Sequence, residues 1–406
     1  MRDLALATIC SRALPAALLL LGQTAFSPFD AATPDFLLRW DAVHFLHVGR
    51  VGYVYEHEWA WFPGVPFLLS VHKLAPTLLS SLLAWDMTAT MYALSLHHLK
   101  SPALGRLATL LSLLPSSPAT LFIAPYTEPF FTYLSYKGML FCAQSSYLLA
   151  ALCFTAAAAF RANGFLLGGF IIWGLVVQPV LEGKKARVLE CSILAAMTFL
   201  PFVAHNYAAY SAFCVATTAP APWCTQRLPL VYQYVQRHYW DVGFLRYWTL
   251  QQLPNILIGL PPIAVIAIFS VRAISKLDAT LLPHAIYALV MCAIYVFASH
   301  TQIVLRQAAS LPIVYWAAAW LVVEHPEWGE VDDSSPLSFR KLIWEPLHAL
   351  GSTLVPVGWT FCLWAPYPTV GTNPANRPRF IIVMRAVSRT RMRKLGYLLN
   401  LPNQTA

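Results

Sequence analysis

"GFLLGGFIIWGLVVQPVLEGKKARVLECSILAAMTFLPFVAHNY", residues 164–207, sets two apolar runs around a short basic turn. Each run approaches the roughly 20 residues that a transmembrane helix needs. The turn between them, Glu182 to Arg187, carries three cations against one carboxylate, the bias expected of a cytosolic connection. The same pattern covers most of the chain. Of 406 residues 58% are hydrophobic and 11% charged, and the apolar residues come in blocks rather than at amphipathic spacing. The fold class is therefore an all-α polytopic membrane protein with about ten transmembrane helices.

The first apolar run, 4–22, has the form of either a signal peptide or a retained anchor, and the anchor is the preferred reading. Further spans are expected near 77–97, 105–124, 129–142, 145–160, 164–181, 188–207, 254–271, 281–299, 303–323 and 342–364. Several are short or contain Pro, which buried or broken membrane helices allow. The formal net charge of +9 raises a nucleic-acid partner, but the basic residues gather at span ends instead of forming one stripe, so orientation accounts for them.

Arg272 to Lys276 reads, like Glu182 to Arg187, as a cytosolic turn. The loop 211–253 then falls on the opposite side, and counting spans places 39–63 there too. This divides the chain into one multi-spanning domain, 1–366, with a first lumenal loop at 23–76 and a central lumenal loop at 211–253, followed by a basic tail at 367–406. The acidic "EHPEWGEVDDSSPLS", 324–338, suits a solvated connection. The eight cysteines show no CxxC or Cys/His metal spacing. Cys214 and Cys224 share the loop assigned to an oxidising compartment, which makes them a candidate disulfide.

Charge is scarce, so its placement is informative. In "DFLLRWDAVHFLHVG", 35–49, Leu37, Trp40, His44 and His47 share a helical face with Asp41 beside it, as in a helix lying at the membrane interface. Arg39 and Trp40 could simply anchor such a helix, with Asp41 facing water; alternatively Asp41 is a general base. "YEHEWAWFPGVP" adds Glu56 and Glu58 among Trp59, Trp61 and Phe62, a mixture of rings and carboxylates that suits sugars as well as lipid. Glu128, in "PYTEPFF", either caps the following helix or contacts substrate. Arg161 and Asn163, in "FRANGF", interrupt an apolar run, and Arg161 either binds phosphate or, the safer reading, pairs with Glu128.

The central loop interleaves Tyr239, Trp240 and other rings with Asp241 and Arg246, too polar for an aromatic belt alone. "SHTQIVLRQAASLPIVYW" brings His300, Gln302 and Arg306 to the start of a span, a candidate anion site.

Taken in order, "RWDAVHFL", "YEHEWAWFPGVP", "TEPFFTYLSY", "FRANG", "YWDVGFLRYW" and "SHTQIVLRQAASLPIVYW" strongly resemble the PIG-V (GPI mannosyltransferase 2) family, over about residues 39–316. The resemblance implies a GT-C type glycosyltransferase of the endoplasmic reticulum membrane with a lumenal active site. Such an enzyme adds the second mannose, in α1,6 linkage, to a glycosylphosphatidylinositol precursor from dolichyl-phosphate-mannose. It places the catalytic carboxylate of the first lumenal loop at Asp41 and ranks Glu56 ahead of Glu58. The expected substrate contacts are then Arg39, Trp40, His44, Glu56, Trp61, Glu128, Arg161, Asn163, Tyr239, Trp240, Asp241, Arg246, His300, Gln302 and Arg306.

No cofactor is implied beyond the lipid-linked donor, and no divalent metal is expected because cations already line the site. The other partners are the lipid-linked acceptor, membrane lipids and a small accessory membrane subunit. The tail "FIIVMRAVSRTRMRKLGYLLN", 380–400, departs from the family by being more basic than a lumenal end should be, and the sequon Asn403-Gln-Thr405 would be glycosylated only in the lumen. The rivals are another dolichol-dependent GT-C mannosyltransferase and a transporter. A transporter would show repeat symmetry between halves, which the sequence lacks.

Overall fold

The two apolar runs around Glu182–Arg187 form two membrane-length helical segments, 162–181 and 188–215, in a computed structural model that describes residues 2–25, 37–38, 41–276 and 278–323. At about 1.5 Å per residue, the 28 residues of Val188–Val215 exceed a hydrocarbon core of about 30 Å. Two more helices, Arg2–Gly22 and Leu250–Ser275, are long and apolar enough to cross a membrane. Shorter apolar helices run over Tyr147–Ala158, Leu282–Ala298 and Pro312–Val322. The described residues contain helices and no strands. The protein is a multi-pass, all-α membrane protein.

Four of the described helices pass as spans, or five if a bent pair is one crossing, against the ten runs expected within 4–323; the run 342–364 lies outside the described residues. The difference has local causes. The run 77–97 divides at Leu83 between the helices Ala75–Leu82 and Ala84–Leu99, and Gly64–Val71 meets Ala75–Leu82 at 109°. The run 105–124 breaks around Pro115 and Pro118 into Pro102–Ser112 and Pro118–Phe122 because proline cannot donate the hydrogen bond that a continuing helix needs. Hydropathy measures apolar content and is blind to such bends.

The principal core joins Met91, Leu94, Phe131, Tyr136, Phe154 and Trp316 with apolar side chains of most other helices. The N-terminal helix belongs to this bundle: Leu4 is buried and Thr8 hydrogen-bonds Thr88 Oγ1 at 2.9 Å. Glycine permits one close approach in the bundle. A Cβ on Gly164 would lie 2.4 Å from Ala158 Cα, so a larger residue would collide with backbone.

A smaller core seats the helix Asp41–Val51. Its buried Ala42, Phe45 and Val48 recur every three residues, and the first two pack with Val65, Leu69, Tyr126 and Phe130. Asp41 at its start and Arg50 in its last turn both complement the helix dipole. Gly52, at φ +81°, ends it with its N–H on the Val48 carbonyl at 2.9 Å. A third cluster, Trp59, Ala209, Trp223, Val231 and Val235, fastens the first loop to the central one. Both loops therefore lie at one end of the bundle.

Candidate active site

Asp41 projects from the first turn of its helix, and its Oδ2 lies 3.2 Å from Arg306 Nη1. Arg306 is held from the other side by Glu128: its Nε donates to Glu128 Oε1 at 2.9 Å and its Nη2 lies 2.7 Å from the same oxygen. Arg161 Nη1 stands 3.4 Å from that oxygen. Tyr126 places its ring 4.9 Å from the Arg306 guanidinium carbon, near enough for a cation–π contact. Five side chains from four separate parts of the sequence thus converge.

Exposure separates the roles of the two carboxylates. Glu128 is 1% exposed and Asp41 35%. A carboxylate sealed to that degree needs opposing charge, and two guanidinium groups supply it. Asp41 can instead be reached from outside. The pair expected between Arg161 and Glu128 is present, and Arg306 is the further cation that completes it.

An aromatic wall stands beside Asp41. His44, one turn along the helix, stacks on Trp61 at 4.2 Å between ring centroids, and Trp240 meets Trp61 edge-on at 5.3 Å. His57 approaches His44 at 6.0 Å. Burial, reinforced by His57, lowers the His44 pKa; burial likewise lowers that of His57 against the opposing pull of Glu58. Both imidazoles therefore favour their neutral form. Burial and then Asp41 raise the Tyr126 phenol above its ordinary value.

Glu56 accepts hydrogen bonds from the Trp223 indole N–H and, at 3.1 Å, from the Tyr239 hydroxyl. It is thereby held between the first loop and the central loop. Burial first, then Glu56, raise the Tyr239 pKa, keeping the phenol protonated to donate. Cys224, adjacent to Trp223, forms the disulfide with Cys214. Glu58, ranked behind Glu56 from sequence, is the more buried at 2% exposed; it accepts the Val54 and Tyr55 N–H groups at 2.9 Å each and meets His47 Nδ1 at 2.5 Å. His47 lies on the Asp41 helix, so Glu58 clasps that helix to its own loop.

The remaining expected residues are more dispersed. Asp241 and Arg246 pair with one another at 2.6 Å, His300 stacks on Tyr247 at 4.7 Å, and Asn163 donates to Met291 Sδ at 3.8 Å. Gln302 is exposed in the short 3-10 turn Thr301–Ile303. Of the two residues expected to form an anion site, Arg306 contacts Asp41 and Glu128, and His300 stacks on Tyr247. Arg39 and Trp40 lie outside the described residues, as do Asn403 and the basic tail. Sequence reasoning missed Tyr126 and Trp223 as parts of this constellation. Their signals were modest: Tyr126 stands two residues before Glu128, and Trp223 beside Cys224.

The family model described as Mannosyltransferase (PIG-V) matches residues 30–282. "GPI mannosyltransferase 2" of Cryptococcus neoformans (strain JEC21) is 30% identical over 352 residues, covering 74% of this chain and 81% of that protein. "GPI alpha-1,6-mannosyltransferase 2" of Rattus norvegicus is 28% identical, covering 74% and 76%, and "GPI mannosyltransferase 2" of Aspergillus oryzae is 31% identical, covering 70% and 72%. No solved structure matches. The matched stretch holds Asp41, Glu56, Glu128 and Arg161, and the relatives cover most of the chain. This multi-pass membrane protein belongs to the PIG-V family of mannosyltransferases.

Proposed function

We propose that this enzyme adds the second mannose, in α1,6 linkage, to a mono-mannosylated glycosylphosphatidylinositol precursor, with dolichyl-phosphate-mannose as donor, at the lumenal face of the endoplasmic reticulum membrane. The observation that carries the chemistry is one cation shared by two carboxylates of unequal burial, next to an aromatic wall. Arg306 stays anchored on sealed Glu128 while its contact with accessible Asp41 can open. A donor phosphate then takes the place beside the guanidinium that Asp41 leaves, and Asp41 turns to the acceptor.

Asp41 accepts the proton of the acceptor 6-hydroxyl as that oxygen attacks the anomeric carbon. The bond from that carbon to the phosphate oxygen breaks in the same displacement, its electron pair leaves on dolichyl phosphate, and β configuration becomes α. Arg306 offsets the charge gathering on the departing phosphate. A phosphate leaves without needing a proton, so Asp41 suffices as the proton-transfer group and no divalent metal is invoked. His44, Trp61 and Trp240 offer flat surface to a sugar ring. An accessory membrane subunit is part of this reading, and the basic tail is left without a role.

Microsomes from cells lacking the second GPI mannosyltransferase, given this chain and labelled dolichol-linked mannose, should extend the accumulated one-mannose precursor. Expressed, correctly localised protein that leaves that precursor unextended would overturn the acceptor assignment.

A further inference from the structure

A polar cavity opens at the end of the bundle remote from Asp41. It encloses about 350 Å³ and is lined by Gln178, Glu182 and Lys184 from one turn, and by His97, His98 and His284 from the helices facing it. Helix Glu128–Ala143 measures its distance from the active site. Glu128 begins that helix, and Cys142 and Ala143, at the other end, line the cavity. Fifteen residues at about 1.5 Å each separate the two by about 22 Å, most of a bilayer core. The cavity therefore cannot hold a sugar reacting at Asp41.

Its lining combines rings, histidines and charged side chains. Trp173 and Tyr147 lie in its wall, rings of the kind that settle at a membrane–water boundary. His98 and His284 are buried in the wall, Nε2 to Nε2 at 3.1 Å, an uncommon expense inside a membrane bundle. The segments that adjoin the lining residues in sequence are basic: Lys100, Lys184, Lys185, Arg187, Arg272 and Lys276, against Glu182, Glu190 and Asp278. Lys184 Nζ sits 2.6 Å from Glu182, but both side chains are exposed, and such a pair is weak enough for a phosphate to displace. Basic pockets between membrane helices on the cytosolic side suit phospholipid headgroups.

We infer that this cavity binds the phosphate-bearing headgroup of an anionic glycerophospholipid from the leaflet opposite the active site. Lys184 and the exposed His97 donate to its phosphate oxygens, and Gln178 donates to the polar group beyond it. The acyl chains remain in the bilayer along the bundle. The inference needs only the membrane-spanning fold, so it survives if the proposed acceptor is wrong.

The test uses the purified full-length protein in detergent, with phosphatidylinositol, phosphatidylcholine or soluble glycerophosphoinositol added, read by native mass spectrometry and by thermal midpoint. Phosphatidylinositol should be retained at least about tenfold over phosphatidylcholine and should raise the midpoint, and the double variant H97A/K184E should lose both effects while keeping the midpoint of the lipid-free protein. Equal retention of the two lipids, or retention unaltered in the variant, would overturn the site. Full stabilisation by soluble glycerophosphoinositol would overturn the lipid source. Transferase activity is not the readout, so failure here is distinct from failure of the proposed reaction.

Discussion

Asp41 and Arg306, 265 residues apart in sequence, meet at 3.2 Å where the first loop folds back on the last described helices. Each of the two side chains is about one third exposed, so the contact contributes modestly to stability and is free to open. Asp41→Asn should reduce turnover by about 10²- to 10⁴-fold with little change in thermal midpoint. Arg306→Lys should also fail, since an ammonium cannot reproduce the planar fork that grips Glu128 through two nitrogens. Full activity of Asp41→Asn in the labelled-mannose assay would refute the assignment of the base.

Glu128 behaves in the opposite sense. Replacing it with Gln leaves Arg306 and Arg161 without their buried counter-charge, a loss on the order of 3–5 kcal/mol. Thermal melting in detergent should show a clear fall in midpoint for Glu128→Gln and almost none for Asp41→Asn. Equal midpoints for the two variants would contradict the division of roles.

The disulfide supports Trp223 and hence Glu56. Cys214→Ser with Cys224→Ser should cost about 3 kcal/mol or less, because the closed loop is short. Trp223→Phe keeps the buried ring but removes the indole N–H, so it should reduce activity more than stability. Mild reduction of the wild type should reproduce the double variant's midpoint and leave the double variant itself unchanged.

Burial lowers the pKa of both His44 and His57. The unfolded chain therefore binds more protons as pH falls below the ordinary imidazole value of about 6.5, and stability should decline from there downward. Above that value both groups are neutral in either state and their contribution is constant. A midpoint measured from pH 8 to pH 5 should fall on the acid side, less steeply in His44→Gln. An identical slope in that variant would exclude His44 as a contributor.

Gly164→Ala tests the packing directly. Its added carbon would meet the Ala158 backbone, an overpacking cost of about 1–3 kcal/mol. The expected sign is destabilising, read as a lower midpoint and lower yield. Gly169→Ala is the matched control, since its added carbon would have nothing within 4 Å.

The parts of the fold that depend on composition could be read from sequence. The helix Val188–Tyr210 falls almost where its apolar run places it, and the pairing of Cys214 with Cys224 agrees with their shared loop. The bend between Gly64–Val71 and Ala75–Leu82 was not legible because nothing in hydropathy records direction. Asp41, Glu128, Arg161 and Arg306 were each singled out as costly charges in an apolar chain, yet only one of their mutual contacts, Arg161 with Glu128, was foreseen. The same limit hid Trp223: a tryptophan in a membrane loop resembles any other until a carboxylate 167 positions earlier is found beneath its N–H.

Distance along the chain also sets a timetable for synthesis. At about 5–20 residues per second, the ribosome produces Arg306 roughly 10 to 50 seconds after Asp41. During that interval Asp41 lacks its Arg306 partner, and Glu128 must wait for one of its two cations. A chain interrupted before its last described helices would carry Asp41, the proposed proton acceptor, but lack Arg306, the cation proposed for the departing phosphate. On the proposed mechanism, catalytic competence waits for the synthesis of Arg306.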